Sequence, residues 1–381
     1  MIGFSQSMKT NEPHSTWIEV DLDVIAHNVS LIKDRSGVQV MAVVKANAYG
    51  HGSIPAALAA LRGGAKWLGV ARVEEALQLR AAQINCPILV MGYSSRENLE
   101  EAIANGISLT LWNREQLQLI SHFAEDAHFA AKVHLKVDTG MSRLGVAPEN
   151  ALSLAVEISN AHSVTFEGIF THFARADELS QSSAEAQELE FMQVLKSLAA
   201  AGIKPPLGHA ANSAAALFRP ASRFDIVRPG IAIYGLHPSD ERPLPGEFQG
   251  ALGWKAVLSQ VKTLPPGSGV SYGHEYVTRK NERIGTVPVG YADGFRRAAG
   301  NQVLVGGKQV PVIGRVCMDQ VIIQLDEVPE ANPGDELVLI GSQGDSQITA
   351  EQVADLWGTI NYEVVCGIAA RVPRIYRKSS D

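Results

Sequence analysis

The sequence predicts an α/β fold: a (β/α)8 TIM-type barrel followed by a second, mainly antiparallel β domain. Three observations carry that expectation. From residue 38 to residue 235, short β-branched runs alternate with longer amphipathic ones, the pattern of a parallel sheet with crossover helices. Eight such strand runs can be counted, the number that closes a barrel. Beyond a stretch at 237–251 rich in proline and charge, Gly, Pro and Asn separate strand-like runs, as in antiparallel sheets.

Taken in order, Trp17-Ile-Glu-Val-Asp reads as a strand ahead of the barrel, free to pair with the C-terminal domain. The barrel strands are expected at 39–45, 67–71, 87–91, 108–111, 131–137, 166–172, 206–209 and 226–231. Helices at 74–82, 96–105, 113–123, 148–159 and 183–201 fall between them, with apolar spacing near 3.6 and acidic residues in several first turns. In the second domain, strands are expected at 256–264, 283–289, 303–305, 309–316, 320–325 and 336–340, and a helix at 349–357 starting from a threonine cap. The domain bounds that follow are a flexible lead-in at 1–14, a barrel at 15–240 and a β domain at 241–381. A doubly wound open sheet is the structural alternative, but no Gly-x-Gly-x-x-Gly follows the first strand, so the dinucleotide fingerprint is absent.

Composition narrows the function classes. The net charge is −7, with scattered basic residues, which argues against a nucleic-acid surface. No stretch approaches the roughly 20 apolar residues of a membrane helix, and residues 1–14 do not read as a secretory signal. Cys86, Cys317 and Cys366 are too far apart for a disulfide framework and form no Cys-x-x-Cys pair, so neither disulfides nor a metal site is expected. A reduced, cytoplasmic, soluble protein is the resulting expectation.

Barrel chemistry is built at the C-terminal ends of the strands, and reactive side chains recur there. Lys45 ends the first strand, Lys136 and Asp138 the fifth, and His172 the sixth; Asn212 and Ser213 follow the seventh, and Arg228 and Gly230 close the eighth. A lysine at the end of an apolar strand is partly desolvated, which favours the free amine that imine formation with an aldehyde requires. The plain alternative is a lysine snorkelling to solvent. The loops after strands seven and eight are the usual phosphate site of such barrels; Ser213 offers a hydroxyl there, although Asn-Ser is also a common helix cap. His172 and Arg228 could form a pair beneath a ligand, or His172 could be a satisfied core histidine. Arg143 sits in a glycine-punctuated loop, where a lone arginine is normally solvated.

These motifs resemble those of bacterial alanine racemases, from about Trp17 to Pro373. The resemblance rests on Val-Lys-Ala-Asn-Ala-Tyr-Gly-His-Gly at 44–52, Lys-Val-Asp-Thr-Gly-Met-Ser-Arg-Leu-Gly at 136–145 and Asn-Ser-Ala-Ala at 212–215. It extends through Val-Arg-Pro-Gly-Ile-Ala-Ile-Tyr-Gly, Val-Ser-Tyr-Gly, Gly-Tyr-Ala-Asp-Gly, Gly-Arg-Val-Cys-Met-Asp-Gln and Asn-Tyr-Glu, in the family's order. It implies a head-to-tail homodimer whose active sites are shared, with pyridoxal 5'-phosphate as cofactor, alanine as substrate and D-alanine for peptidoglycan as product. By that resemblance Lys45 carries the cofactor as a Schiff base and is one proton-transfer base, and Tyr272, from the partner subunit, is the other. Tyr49, Ser213, Gly230, Ile231 and Tyr362 match phosphate-binding positions, with Asn212 beside them. Arg228 matches the arginine facing the pyridine nitrogen, with His172 behind it. Arg143 matches the contact to the cofactor's phenolic oxygen, and Met318 the residue whose backbone meets the substrate carboxylate. Lys136 matches a lysine carbamylated in many members, and Asp177, Tyr291 and Arg315 resemble residues of the access corridor. Ser142, where many relatives have glycine, and the segment before Arg-Val-Pro at 371–373 depart from the pattern.

The proposed pair suits racemisation, because two bases on opposite faces of a planar cofactor can remove and return a proton. An arginine cannot accept the ring-nitrogen proton, so it leaves a weaker electron sink than a carboxylate would. A racemase acting on serine or a broader set is the nearest alternative. A decarboxylase of the same architecture would be expected to carry an acidic residue at Arg228 and a glycine-rich loop at 212–213.

Overall fold

The computed structural model describes residues 14–378; the lead-in expected at 1–14 lies, except for His14, outside them. Two compact units are present. One comprises 21–251 with 376–378, and the other comprises 252–375 with 14–20.

The first unit is built on eight parallel strands: Gln39–Val43, Trp67–Val70, Ile88–Val90, Ser108–Leu111, Ala131–Lys136, Val164–Phe170, Leu207–His209 and Ile226–Val227. Each pairs in parallel with the next up to the seventh, and the eighth returns to the first through Gln39↔Ile226 and Val40↔Val227. The ring closes where Asp225 N–H donates to Gly208 O (3.1 Å) and Arg228 N–H to Ala211 O (2.8 Å). All eight expected strands are present: the fourth keeps its bounds, the sixth is shifted to Val164–Phe170, and the others are shorter. The eighth stops at Val227 because Pro229 has no N–H to give a ladder and Ile231–Tyr234 winds into a 3₁₀ turn.

The helices Val73–Ala81, Arg96–Ala104, Arg114–Ala127, Pro148–Asn160 and Ser182–Ala200 lie where periodicity placed them. Two others, Leu22–Ser36 and Ser53–Arg62, were not anticipated. The first is well signalled in retrospect: Asp21 caps it, accepting from Asp23 and Val24 N–H, and Ile25, Val29 and Ile32 form its buried stripe. Asn28, on the same helix, donates to Ile233 O (3.2 Å) and Gln249 O (2.9 Å). These bonds hold the proline-rich stretch against the barrel, so the boundary falls at 251 rather than 240.

The second unit is antiparallel. Thr16–Asp21 pairs with Leu252–Val257, register Thr16↔Ala256 to Val20↔Leu252, as its strand pattern suggested; this moves the barrel's start from 15 to 21. The strand expected over 256–264 is two strands, Leu252–Val257 and Gln260–Leu264. Leu258 and Ser259 turn the corner, donating to Asp335 O and Thr286 O, and the chain exchanges one partner, Glu336–Gln343, for another, Glu282–Val287. The remaining sheet strands are Gln302–Val305, Lys308–Ile313, Val321–Gln324, Ser346–Ile348 and Arg374–Arg377. The helix Ala350–Trp357 starts from a capping box between Thr349 and Gln352. A further helix, Asn361–Cys366, carries Tyr362. Among the described residues no helix is long and apolar enough to cross a membrane.

Candidate active site

The first barrel strand ends at Val43, two residues earlier than expected, and Lys45 opens a tight turn, Lys45–Tyr49. Ala46, Asn47, Ala48 and Tyr49 all have φ of 53–54°, a left-handed turn made without glycine. Side chains hold it in place. Glu75 Oε1 accepts from Ala46 N–H (2.6 Å), while its Oε2 accepts from Ala71 (2.8 Å) and Arg72 (3.1 Å). Asn47 Oδ1 accepts from Ser53 N–H (2.9 Å). The turn brings Tyr49 inward, buried against Tyr234 with ring centroids 5.2 Å apart.

Tyr49 meets the loops after strands seven and eight. A Cβ at Gly230 would lie 2.4 Å from the Tyr49 hydroxyl, so only glycine leaves the phenol in this position. Ser213 Oγ accepts from Gly230 N–H (2.9 Å) and Ala232 N–H (3.3 Å). Asn212 gives its oxygen to Ala215 N–H as a helix cap (3.1 Å), the common role for that residue type. Ile231 is buried at the start of the 3₁₀ turn. Two hydroxyls thus converge on a residue without a side chain, a group that suits a phosphate.

The rim also carries a buried cationic group. Arg228 is buried, and its guanidinium donates to Thr171 O (2.8 Å) and Ala210 O (3.0 Å) and meets His209 Nδ1 (2.9 Å) and His172 Nδ1 (3.2 Å). Burial lowers its pKa to about 9, so it stays charged at neutral pH. Loss of hydration and then the facing Arg228 push His172 and His209 well below the ordinary imidazole value, so both rings are neutral. Lys136 is also buried; desolvation, then Arg143 and Arg228, lower its pKa to about 8, with Lys45 a smaller cause and Asp138 opposing. Phe170 packs beneath this group: the Arg228 Cζ and Lys136 Nζ atoms lie 5.2 and 5.5 Å from its ring centroid, and His209 stacks on it at 4.7 Å.

Arg143 is exposed on a loop organised by Asp138, whose Oδ1 accepts from Gly140, Met141 and Ser142 N–H at 2.9–3.0 Å. Ser142 has φ of 55°, a conformation in which glycine carries no side-chain penalty; this is the physical content of that departure from the family pattern. Lys45, Arg143 and Arg228 therefore act electrostatically on both Lys136 and His172. Sequence reasoning passed over His209 and His134, both fully buried. The available signal was a histidine inside an otherwise apolar strand.

Tyr272, Met318 and Tyr362 belong to the second unit. Tyr272 is 69% exposed and Met318 53%. Strained backbone surrounds Tyr272: Ser271 and His274 have φ of 62° and 48°, and the Ser271 hydroxyl donates to Arg315 O (2.6 Å). Gly290 lets Met318 approach, since a Cβ there would lie 2.2 Å from the Met318 carbonyl oxygen. Arg315 is ion-paired with Glu275, and Tyr291 is exposed.

Comparison with known proteins places these features in context. Residues 20–238 match the family described as "Alanine racemase, N-terminal domain", and residues 251–376 match "Alanine racemase, C-terminal domain". An alanine racemase of Symbiobacterium thermophilum is 44% identical over 364 residues, covering 95% of this chain and 97% of the relative. One of Methanococcus maripaludis is 43% identical over 371 residues, covering 95% and 99%. The crystal structure of the Bacillus anthracis alanine racemase with bound L-Ala-P superposes with a TM-score of 0.92 at 42% identity, covering 97% of each chain.

Proposed function

Because this chain belongs to the alanine racemase family, we propose that Lys45 and Tyr272 are the two bases with which it interconverts L- and D-alanine. The enzyme is a racemase dependent on pyridoxal 5'-phosphate. When bound, that cofactor supplies an aldehyde that takes the amino group and a ring that draws electrons from Cα. The residues present fit it. Tyr49, Ser213, Gly230 and Ile231 suit its phosphate, with Asn212 holding the frame, and Tyr362 matches a further phosphate position of the family. Lys45 suits its aldehyde, Arg143 its phenolic oxygen and Arg228 its ring nitrogen.

The observation that carries this reading is the buried arginine. Held by two carbonyls and two neutral imidazoles, Arg228 has only donors to present to a ring nitrogen, which limits charge build-up at Cα and favours simple return of the proton. His172 holds Arg228 from the side. Lys45 Nζ moves a proton on one face of the substrate and Tyr272 Oη on the other, while the backbone at Met318 orients the carboxylate. Lys136 is carbamylated in this reading: with its pKa near 8 the amine is partly neutral at physiological pH and open to CO₂, and the resulting anion would steady Arg143. Asp177, Tyr291 and Arg315 guard the approach.

The working unit is a homodimer in the cytoplasm, each site taking Tyr272 from the partner, and it supplies D-alanine for peptidoglycan. Support for sharing is the 69% exposure of Tyr272, which a base acting in a water-excluded site cannot retain. Mixing Lys45→Ala and Tyr272→Phe chains tests it. Random exchange of subunits gives one complete site in each heterodimer, so about a quarter of wild-type activity returns from two inactive parents. No recovery after verified exchange contradicts a shared site.

A further inference from the structure

From Arg228 the barrel core carries a polar row whose far members, His134 and Glu167, the chemistry above leaves unused. Interiors of such barrels are filled by layers of branched apolar side chains, and a buried polar group costs free energy unless it is hydrogen-bonded. Here Arg228 Nη1 meets His209 Nδ1 at 2.9 Å, His209 Nε2 meets His134 Nδ1 at 2.8 Å, and His134 Nε2 meets Glu167 Oε2 at 3.3 Å. The Ser108 hydroxyl donates to the same carboxylate oxygen.

The direction of this row is forced. A guanidinium only donates, and a carboxylate only accepts. His209 must therefore accept at Nδ1 and carry its proton on Nε2, and His134 must do the same. Burial supports neutral rings, since it pushes both imidazoles below their ordinary value.

The backbone is shaped for the same purpose. Along the fifth and sixth barrel strands Val133 faces Phe166 but His134 faces Gly168. Glu167 is thus the extra residue of a β-bulge, a device that re-aims a side chain. The following Gly168 makes room for the ring, because a Cβ there would lie 2.4 Å from His134 Nδ1. An inserted acceptor and a glycine that admits its donor are separate features serving one row.

We propose that Glu167 is a positioning residue for racemisation: as terminal acceptor it polarises the His134–His209 row, so that Arg228 always meets an imidazole acceptor. This rests on the assignment of Arg228 to the cofactor's ring nitrogen. Without the carboxylate, His134 is released to carry its proton on Nδ1. His209 must then accept at Nε2 and turn an N–H toward Arg228, setting donor against donor. The guanidinium would lose one of its anchors and with it the position in which it could face the ring nitrogen.

The test is nitrogen NMR of ¹⁵N-histidine-labelled, cofactor-loaded enzyme, with resonances assigned by substitution. Wild type should show both His134 and His209 as Nε2–H tautomers; an Nδ1–H or doubly protonated His209 overturns the proposal without any variant. Glu167→Leu should move both rings toward Nδ1–H and lower kcat about tenfold with little change in KM. Glu167→Gln, whose amide oxygen can still accept, should keep the wild-type tautomers and most of the rate. In a His209→Ala background, Glu167→Leu should change kcat less than about twofold. An unchanged His209 tautomer in folded Glu167→Leu, or the same tenfold loss without His209, refutes the role. The tautomers are read without turnover, so failure here is distinct from failure to racemise alanine.

Discussion

Gly230→Ala tests the phosphate pocket with a single methyl group. The added Cβ would stand 2.4 Å from the Tyr49 hydroxyl oxygen and 3.0 Å from Cζ, whereas ordinary carbon–oxygen contact begins well beyond 3 Å. The phenol therefore has to retreat by close to an ångström. It has little room to do so: Tyr49 is 8% exposed, its ring lies 5.2 Å from that of Tyr234, and its backbone is fixed at φ 53°. Overpacking of this kind costs about 1–3 kcal/mol. If the cost falls on the cofactor-competent arrangement, affinity for pyridoxal phosphate drops by about 5- to 150-fold. Absorbance titration of cofactor into stripped enzyme measures that Kd, and a melting curve of the stripped protein separates it from general unfolding. Tyr49→Phe removes the closest atom, so the double variant should bind better than the sum of the two losses implies. Unchanged affinity in Gly230→Ala, or strict additivity with Tyr49→Phe, means that the pocket is not the phosphate site.

Other consequences follow from the same geometry. Lys45→Ala should abolish the cofactor's absorption near about 420 nm, and a retained band would remove Lys45 from its role. Arg228→Lys replaces a five-donor fork with three donors for four acceptors; the buried group left unpaired should lower stability by about 1–3 kcal/mol in denaturant titration. For Lys136, folding lowers the pKa from 10.5 to about 8, so between those values the unfolded chain binds more protons and stability rises with pH. In CO₂-free buffer that rise should be about 3 kcal/mol and absent from Lys136→Met; intact mass should show one added CO₂ on wild type that the same substitution removes. Ser142→Gly, at φ 55°, should stabilise the fold by up to about 1 kcal/mol, and a loss of stability would contradict the assigned turn.

The barrel was legible because its signals are local. β-branched runs alternate with apolar stripes at helical spacing, and the first and the fifth to eighth runs lead into polar rim residues. What stayed hidden depended on contacts distant in sequence. Leu258 and Ser259 read as part of one strand, yet their N–H groups go to Asp335 and Thr286, and only those partners reveal the corner. Lys45, Arg228 and Ser213 could be placed by strand ends alone, whereas His134 and His209 could not: a histidine in a strand announces neither its burial nor its partner. Glu167 was further concealed by its bulge, which breaks the two-residue alternation from which inward-facing positions are read.

The turn at Lys45 shows why the first barrel strand ends two residues earlier than expected. Ala-Asn-Ala-Tyr contains no glycine, and a non-glycine residue in the left-handed region costs about 1–2 kcal/mol. Four in succession would not persist on local preference. They persist because other elements hold them: Glu75 takes three amide protons, one from the turn and two from the loop after strand two, and Asn47 closes onto the following helix. Strain maintained in this way belongs to sites where placement matters more than stability. An extended continuation would have carried Lys45 on along the strand and directed Tyr49 away from Gly230. The left-handed turn instead presents Lys45 at the rim and sends Tyr49 back under it, so a single conformational choice sets both the proposed base and the phenol of the phosphate pocket.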